Sequence, residues 1–598
     1  MRGCDVDPSS IVQPATLVEE GTSAPQPLRE TERTVGAVLG SVFREDRFFL
    51  VLSVFIGIFS GLAVVCFRYA IDWCRIYLLG SGAELSPWRL ILAPTIAGLV
   101  IAVLVIHVFP LARGSGVNQT KAALFIYNGY IPLRTAVGKF ITSALAIGSG
   151  HSLGPEDPSL QIGASLASAL GRRMRLSRER MRLIAPVGAA AGLAAAFNAP
   201  ISAVLFVIEE VIGRWTAGIL GSVVLAAVSS VVVMRGFLGS ESLFRIPVVE
   251  IQRPSELLAY CVLGIVGGVA SVALSSGIGY LRPKCKDMPQ WTQYLQPALA
   301  GLLIGVIAAM GAPQVMGAGY VYMDEAMHGQ FTWQFMAILA LLKIVATMLS
   351  FVSGTPGGMF APVMFIGAMF GAAVGGAQHA LFPHLSISTG TYALVGIGVL
   401  FAGFLRVPMT SVFMVLEVSS NYSIIVPVIV ANTFAYVISR MLQPAAIFDV
   451  LTRQDGLDLP SMEEQREENI LRVEDAMQHP VEPVLDADEL MSWSSRLADD
   501  KDAPDVLLVK LHPSGWSSVT REELQALINE DKDGLNLSGM FSERQVPFVH
   551  PDQPLDVALR YVDRWPLIPV VSRADFSKLE GVITEHDVLE RYRDFAGE

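Results

Sequence analysis

Five stretches of this chain, residues 48–67, 89–108, 217–234, 257–274 and 335–351, are apolar over about the length that crosses a bilayer. A membrane β-barrel would show short alternating segments instead. Composition points the same way: 52% of residues are hydrophobic, 16% are charged and mean hydropathy is +0.49, where a soluble chain is about a quarter charged. The chain reads as a polytopic helical membrane protein whose immediate partner is the lipid bilayer. Its net charge of −12 argues against nucleic acid. Five cysteines (Cys4, Cys66, Cys74, Cys261, Cys285) follow no disulfide or metal-binding spacing, so no metal is expected. Residues 1–45 form an N-terminal segment whose Pro-, Ser- and Glu-rich beginning is expected to be disordered, and it has no apolar h-region for a cleaved signal. After about Arg453 the sequence turns charged, with short β-type runs such as 505–511 and 567–571, which suits one small soluble α/β domain or a pair.

The membrane part contains a repeat. Residues 149–164 follow the template S-G-x-x-x-G-x-x-x-P-x-x-x-I-G-A, and SGTPGGMFAPVMFIGA (353–368) fits it position for position. A second pair follows in the same order: FNAPISAVLFVIEEV (197–211) resembles FLRVPMTSVFMVLEVS (404–419), each with a proline, a small hydroxyl two residues on, an apolar run and a glutamate. Two structural repeats with Gly/Pro-interrupted segments at matching places are the pattern of secondary transporters, whose binding site lies near the midplane between helix N-termini. That pattern favours inverted repeats, although the span count between the motifs is ambiguous in sequence. The expected fold is an all-α polytopic membrane domain of two such repeats with broken helices, followed by a soluble α/β domain.

Glycine and proline at membrane depth free backbone groups, which is tolerated only where protein or a water-filled cavity satisfies them. A helix that starts at such a break aims unpaired N–H groups and its positive dipole end at the cavity, and so binds anions. Three segments could do this: GSGVNQTKAAL (114–124), GSGHSLGPEDP (148–158) and SGTPGGMFAP (353–362). The alternative is plain tight packing through small residues. Glu156, in the second of these, can occupy an anion site when no ligand is present and leave it when protonated. Intramembrane carboxylates cost roughly 2.5–3.5 kcal/mol and are functional by default. Glu209 and Glu210 end an apolar run. Each could cap the interface, as Glu417 could in the other copy, or one could relay protons, and spacing does not choose between them.

These motifs resemble the CLC family of chloride channels and chloride/proton antiporters, from about residue 50 to the C-terminus. The family pattern GSGIP is similar to GSGVN here, which implies that Ser115 contacts the anion. GREGP is similar to Gly154-Pro155-Glu156-Asp157-Pro158, which implies that Glu156 is the gate and external proton glutamate. GMFAP matches GxFxP and implies that Met359 and Phe360 donate backbone N–H groups to chloride. The resemblance makes Glu210 the internal proton glutamate, which favours exchange over conduction. In place of the family's anion-holding tyrosine stands Phe448, which can occlude the pathway but cannot donate an O–H bond. The C-terminal region looks like paired CBS domains, with a transport domain over 46–453, a linker over 454–472, a first CBS domain over 473–530 and a second over 540–598. There, Thr584 and Asp587 match positions that contact ATP or another adenine nucleotide. A purely structural pair that steadies a dimer is the alternative.

The resemblance implies a chloride/proton antiporter with no catalytic residues and no cofactor beyond a regulatory nucleotide. It implies a homodimer in a bacterial inner membrane, with both terminal regions cytoplasmic. Glycine-rich 371–376 would pack within such a dimer. A passive voltage- or pH-gated chloride channel is the nearest alternative. Four departures bear on affinity and coupling: Asn118 replaces proline, Pro155 replaces arginine, Asp157 replaces glycine, and Phe448 replaces the tyrosine. Two close carboxylates at 156 and 157 resist joint ionisation. By the same resemblance, Ser115 implies chloride instead of fluoride, and instead of nitrate, for which a proline would be expected there. One enzyme reading competes: Gly150-His151-Ser152-Leu153-Gly154 matches G-x-S-x-G formally, but a nucleophile elbow needs a preceding strand, and the residues before it read as an apolar helix.

Overall fold

The computed structural model describes residues 29–80, 86–213, 217–241, 243–244, 256–382, 388–457, 459, 471–478, 484–486, 506–511, 515–529, 541, 544–572 and 575–597. The chain divides into a membrane unit, Met1–Met462, and a soluble unit, Glu463–Glu598.

Among the described residues, nine helices are long and apolar enough to cross a bilayer. The first repeat runs α1 (Arg29–Leu79), α2 (Pro87–Val103), α3 (Gly116–Phe125), α4 (Leu133–Ser149), α5 (Glu156–Arg173), α6 (Arg178–Phe197), α7 (Pro200–Phe206) and α8 (Ala217–Leu238). The second runs α9 (Glu256–Lys286), α10 (Thr292–Ala309), α11 (Tyr320–Met327), α12 (Trp333–Val352), α13 (Phe360–Leu381), α14 (Thr389–Leu405), α15 (Pro408–Ser419) and α16 (Ile425–Leu442). Each element of one copy has a counterpart of similar kind in the other. A last helix, α17 (Ile447–Gln454), carries Phe448. Helix α1 reaches back to Arg29, into the segment expected to be disordered: residues 29–45 hold no proline and run straight into the apolar span, so nothing stops the helix. The disorder expected of the residues before 29 lies outside the described residues.

From Ile184 to its end α6 is apolar all round and buried, as are α13 up to Gly375 and α14, and these stretches form the centre. Helices α2, α8, α9, α10 and α16 leave large apolar side chains bare on one face, such as Val232, Leu258 and Met441, as lipid-facing helices do. Contact between the copies is reciprocal. Gly98 of α2 packs on the backbone of Pro297, and Gly301 of α10 packs on that of Pro94, so a Cβ at either would collide with the other helix. The glycines at 371–376 are used inside the chain instead of at a dimer surface: Gly371 and Gly375 face Tyr392, and Gly376 faces Trp333.

The soluble unit contains a three-stranded sheet, β1 (Leu485–Asp486), β2 (Val506–Lys510) and β3 (Trp516–Thr520), followed by α19 (Arg521–Asn529). A second sheet pairs β4 (Ile568–Val571) antiparallel with β5 (Leu579–Ile583), flanked by α20 (Leu555–Val562) and α21 (Glu585–Gly597). The halves exchange edges. A short helix, α18 (Val473–Ala476), opens the first half, yet Leu471 and Val473 pack with Leu555, Val570, Ile583 and Val588 of the second. In return, Gln545 of the second half bridges to Ser517 of β3.

Candidate anion and proton pathway

Three helix N-termini meet where the copies cross. Helix α4 ends at Gly150 (φ +110°) and α12 ends before Gly354 (φ +78°), a left-handed turn that glycine adopts without strain. The chain then runs extended into α5 and α13. Gly154 N–H donates to the Gly358 carbonyl at 2.8 Å, and Gly358 N–H donates back at 2.9 Å. This antiparallel bridge locks the two repeat motifs together and gives the freed backbone partners at depth.

Glu156 opens α5 and is fully buried, at 0% exposure. Its Oε2 accepts from the Ala361 N–H of α13 at 3.3 Å, and its Oε1 accepts from the hydroxyl of Tyr320. Arg68 of α1 faces it electrostatically, with Asp72 nearby. The carboxylate therefore lies at a helix N-terminus, where the dipole favours negative charge. Asp157 does the same at a second one: its Oδ1 accepts from Val117 N–H of α3 at 3.1 Å. Lys139 faces Asp157 and donates to the Gly114 carbonyl at 2.6 Å.

Ser115 caps α3, accepting from Val117 N–H at 3.2 Å, and is buried. Met359 and Phe360 begin α13, where first-turn N–H groups have no intrahelical partner. The Phe360 ring packs edge-on against Phe206 (5.1 Å) and tilted against Phe448 (6.3 Å). Asn118 Nδ2 donates to the Phe448 carbonyl at 3.2 Å, which ties α3 to α17. Phe360 thus meets Phe448 directly, Asn118 ties Phe448 to the helix that Ser115 caps, and Glu156 sits on the N–H of Ala361, next in chain to Phe360.

The structure separates Glu209 from Glu210. Residues Val207–Ile212 form a π-helical turn that continues α7 and re-aims neighbouring side chains. Glu209 caps α15, accepting from Thr410 N–H at 3.0 Å and Thr410 Oγ1 at 2.8 Å. Glu417 caps α7 in return, accepting from Ile201 N–H at 3.0 Å and Ser202 N–H at 2.7 Å. Glu210 is not a cap. Its Oε1 pairs with Lys121 at 2.5 Å, and Lys121 also lies 3.6 Å from Asp449. Its Oε2 is buried and has no hydrogen-bond partner among the described residues, which is rare for a buried carboxylate and asks for a reason.

Two cavities flank the site. One, of about 320 Å³, is lined by Arg113, Ser115, Asn118, Arg282, Lys286 and Asp455. The other, of about 370 Å³, is lined by Arg68, Asp72, Arg75, Pro155, Tyr320 and Tyr322. Their sides follow from an arginine cluster: Arg172 and Arg173 at the end of α5, Arg175 in the turn, and Arg178, Arg180 and Arg182 at the start of α6. Arg180 lies over Phe49, near the start of the α1 span, and Arg172 stacks on Tyr130, which lines the Ser115 cavity. Arg68 lies about 28 Å further along α1, roughly the hydrocarbon thickness. The Ser115 cavity opens on the arginine side and the Tyr320 cavity on the opposite side, so the repeats are inverted.

Lys139, Arg68 and Tyr320 lie outside the sequence motifs, and Lys121 lies inside 114–124 with no role assigned by the motif. Lys121 had one available signal, a cation one helical turn from Asn118 on a helix that is otherwise buried. Ser152 is no nucleophile: a helix precedes it, and it is buried against Thr347 (3.0 Å) and Ser350. In the soluble unit, Thr584 and Asp587 form a helix cap. Thr584 N–H and Oγ1 donate to Asp587 Oδ2 (2.8 and 2.6 Å), and Gln478 donates to Asp587 Oδ1 at 2.5 Å. Thr520 and Glu523 cap α19 in the same way, through a capping-box exchange.

Residues 97–440 match the voltage-gated chloride channel family, and residues 531–594 match the CBS domain. The chain is 30% identical to a ClcB-like chloride channel protein of Ralstonia nicotianae, over 69% of its own length and 99% of the relative's. It is also 30% identical to the H(+)/Cl(-) exchange transporter ClcA of Salmonella newport, over 67% of its own length and 87% of the relative's. A slow cyanobacterial Cl−/H+ antiporter superposes with a TM-score of 0.63 at 23% identity, over 70% of this chain and 99% of that one. A eukaryotic CLC transporter superposes with a TM-score of 0.59 at 19% identity, over 90% and 97%. The chain belongs to the CLC family of chloride channels and transporters. It is an integral membrane protein with a CBS region, a transport protein and not an enzyme.

Proposed function

We propose that this protein exchanges chloride for protons across a bacterial inner membrane, as a homodimer whose terminal regions are cytoplasmic. The observation that carries the reading is Glu156: a fully buried carboxylate on the Ala361 N–H of α13, between two cavities of opposite side. Chloride enters from the inner cavity past Ser115 and is drawn to the first-turn N–H groups at Met359 and Phe360. A proton from the outer cavity neutralises Glu156, which then loses its attraction for the helix end and swings away. Chloride takes the vacated dipole end. The proton continues inward to Glu210, whose unpartnered Oε2 suits a proton-accepting atom, while Lys121 holds the other oxygen. The homodimer follows the two-fold default of symmetric oligomers. In the soluble unit an adenine nucleotide at Thr584 and Asp587 modulates transport, with a ribose hydroxyl taking the Asp587 oxygen that Gln478 holds.

Liposomes in which chloride and proton movement are recorded together test this, across external pH and with and without ATP. Chloride efflux should drive proton uptake and rise steeply between roughly pH 7.5 and 4.5. Flux without proton uptake would instead make the protein a passive channel, the reading that the hydroxyl-free Phe448 favours.

A further inference from the structure

Two breaks precede the paired N-termini, one in each copy. The first, 114–116, supplies Ser115 to the inner cavity. The second, Gly317-Ala318-Gly319, opens α11 with Tyr320 at the place Val117 holds in α3. Gly317 and Gly319 both have positive φ, +60° and +83°, and Lys343 pins the turn by donating to the Val315 (2.9 Å) and Gly317 (2.7 Å) carbonyls. The direction in which Tyr320 leaves the backbone is therefore fixed. Its hydroxyl reaches Glu156 Oε1 from the outer cavity, while Ala361 N–H holds Oε2.

The charged and titratable groups around the gate come from four elements. Tyr320 comes from α11, Arg68 with Asp72 behind it from α1, Asp157 from α5 itself, and Lys139 of α4 faces Asp157. Pro155, at the position next to the gate, has neither a charge nor an N–H to offer. The hold on Glu156 from the outer side thus falls on a phenol and a guanidinium outside the local motif.

We propose that Tyr320 latches the gate: its hydroxyl holds the ionised Glu156 over the pathway and lets go when the carboxyl is protonated, so Tyr320 sets the external pH at which the gate opens. An O–H bond to a carboxylate is about twice as strong as one between neutral groups, so protonation weakens the latch at the moment of release. Tyr320 is a positioning residue, acting through Glu156. The proposal rests on the antiport reading above.

The test uses the full chain in liposomes, with chloride efflux and proton uptake followed over a range of external pH. Tyr320→Phe keeps the ring and removes the hydroxyl. It should raise flux about tenfold at neutral external pH and move activation to higher pH, with proton coupling retained. Tyr320→Gln, which keeps a donor, should restore much of the wild-type profile and checks that the fold survives a change at this position. In a Glu156→Ala background there is nothing to latch, and adding Tyr320→Phe should change nothing. An unaltered pH profile in Tyr320→Phe overturns the latch, and so does an equal gain in the Glu156→Ala background. Failure of the antiport reading looks different: the wild type itself would move chloride with no protons, whatever stands at 320.

Discussion

Lys139 and Lys343 stand at matched places in the two repeats and perform the same task. Each is buried and donates to the carbonyls of the break before its helix, Ala112 and Gly114 in one copy, Val315 and Gly317 in the other. Glu209 and Glu417 match in the same sense, each capping the other copy's helix. Gly154 and Gly358 exchange hydrogen bonds with one another. Other matched places differ. Ser115 corresponds to Ala318, Val117 to Tyr320, Glu156 to Phe360, Asp157 to Ala361 and Glu210 to Val418 in the repeat. Agreement builds the scaffold, because both copies must satisfy the same freed backbone. Difference builds the pathway, because in the proposed exchange its two ends do different work: one would admit protons to a gate, the other would relay them beside an ion pair.

Erasing a difference should therefore damage transport, and erasing an agreement should damage only the scaffold. The largest effect is expected at 156. Glu156→Gln leaves no group that can leave the site on protonation, so proton uptake should vanish while chloride flux persists and no longer responds to external pH. Simultaneous chloride and proton recordings check this, and any residual chloride-driven proton uptake refutes it.

Next in size is Glu210→Val, which gives the first copy the residue of the second. Proton coupling should fall away with a milder effect on chloride flux. The same change takes the nearer partner from Lys121, which is 3% exposed, and leaves it only Asp449 at 3.6 Å; breaking a buried pair outright costs about 3–5 kcal/mol, so the loss should be some fraction of that. Thermal unfolding should show this loss, and adding Lys121→Met should recover much of it without recovering coupling. Coupling that returned in the double variant would remove Glu210 from the proton path.

What the sequence could reveal follows the same division. The breaks are written in glycine and proline, local signals that need no partner, so the membrane class, the repeat and the three N-termini were readable. A carboxylate in a break is conspicuous, which made Glu156 and Asp157 candidates at once. The choice between Glu209 and Glu210 was not readable, because it depends on which of them meets Thr410, two hundred residues away in the other copy. No motif assigned a role to Tyr320, Arg68, Lys121 or Lys139 for the same reason: each is defined by a partner brought near by folding. Phe448 is marked only by the family resemblance, since a phenylalanine in an amphipathic helix start looks like any core residue.

A smaller effect is expected at Asp157, whose counterpart is Ala361. Its carboxylate takes the Val117 N–H beside Ser115, so an anion arriving there competes with a resident one. Asp157→Gly should free that helix end and tighten chloride binding by about tenfold, as read by calorimetric titration of the purified protein. Weaker binding would mean that Asp157 and Lys139 together shape the site and do not merely compete for it.

The smallest effects belong to the symmetric caps. Glu209→Ala and Glu417→Ala each remove one acceptor from a helix N-terminus of the opposite copy, a loss of about 1–2 kcal/mol by the scale of cap substitutions. The two variants should lose similar stability, because their partners are alike: a backbone N–H and a hydroxyl at Thr410 for one, at Ser202 for the other. Neither should alter the ratio of chloride to protons moved. Thermal unfolding in detergent, paired with the liposome recording, separates the outcomes. Reduced coupling in Glu209→Ala alone would show that this glutamate passes protons as well as capping α15, and that symmetry of structure does not guarantee symmetry of role.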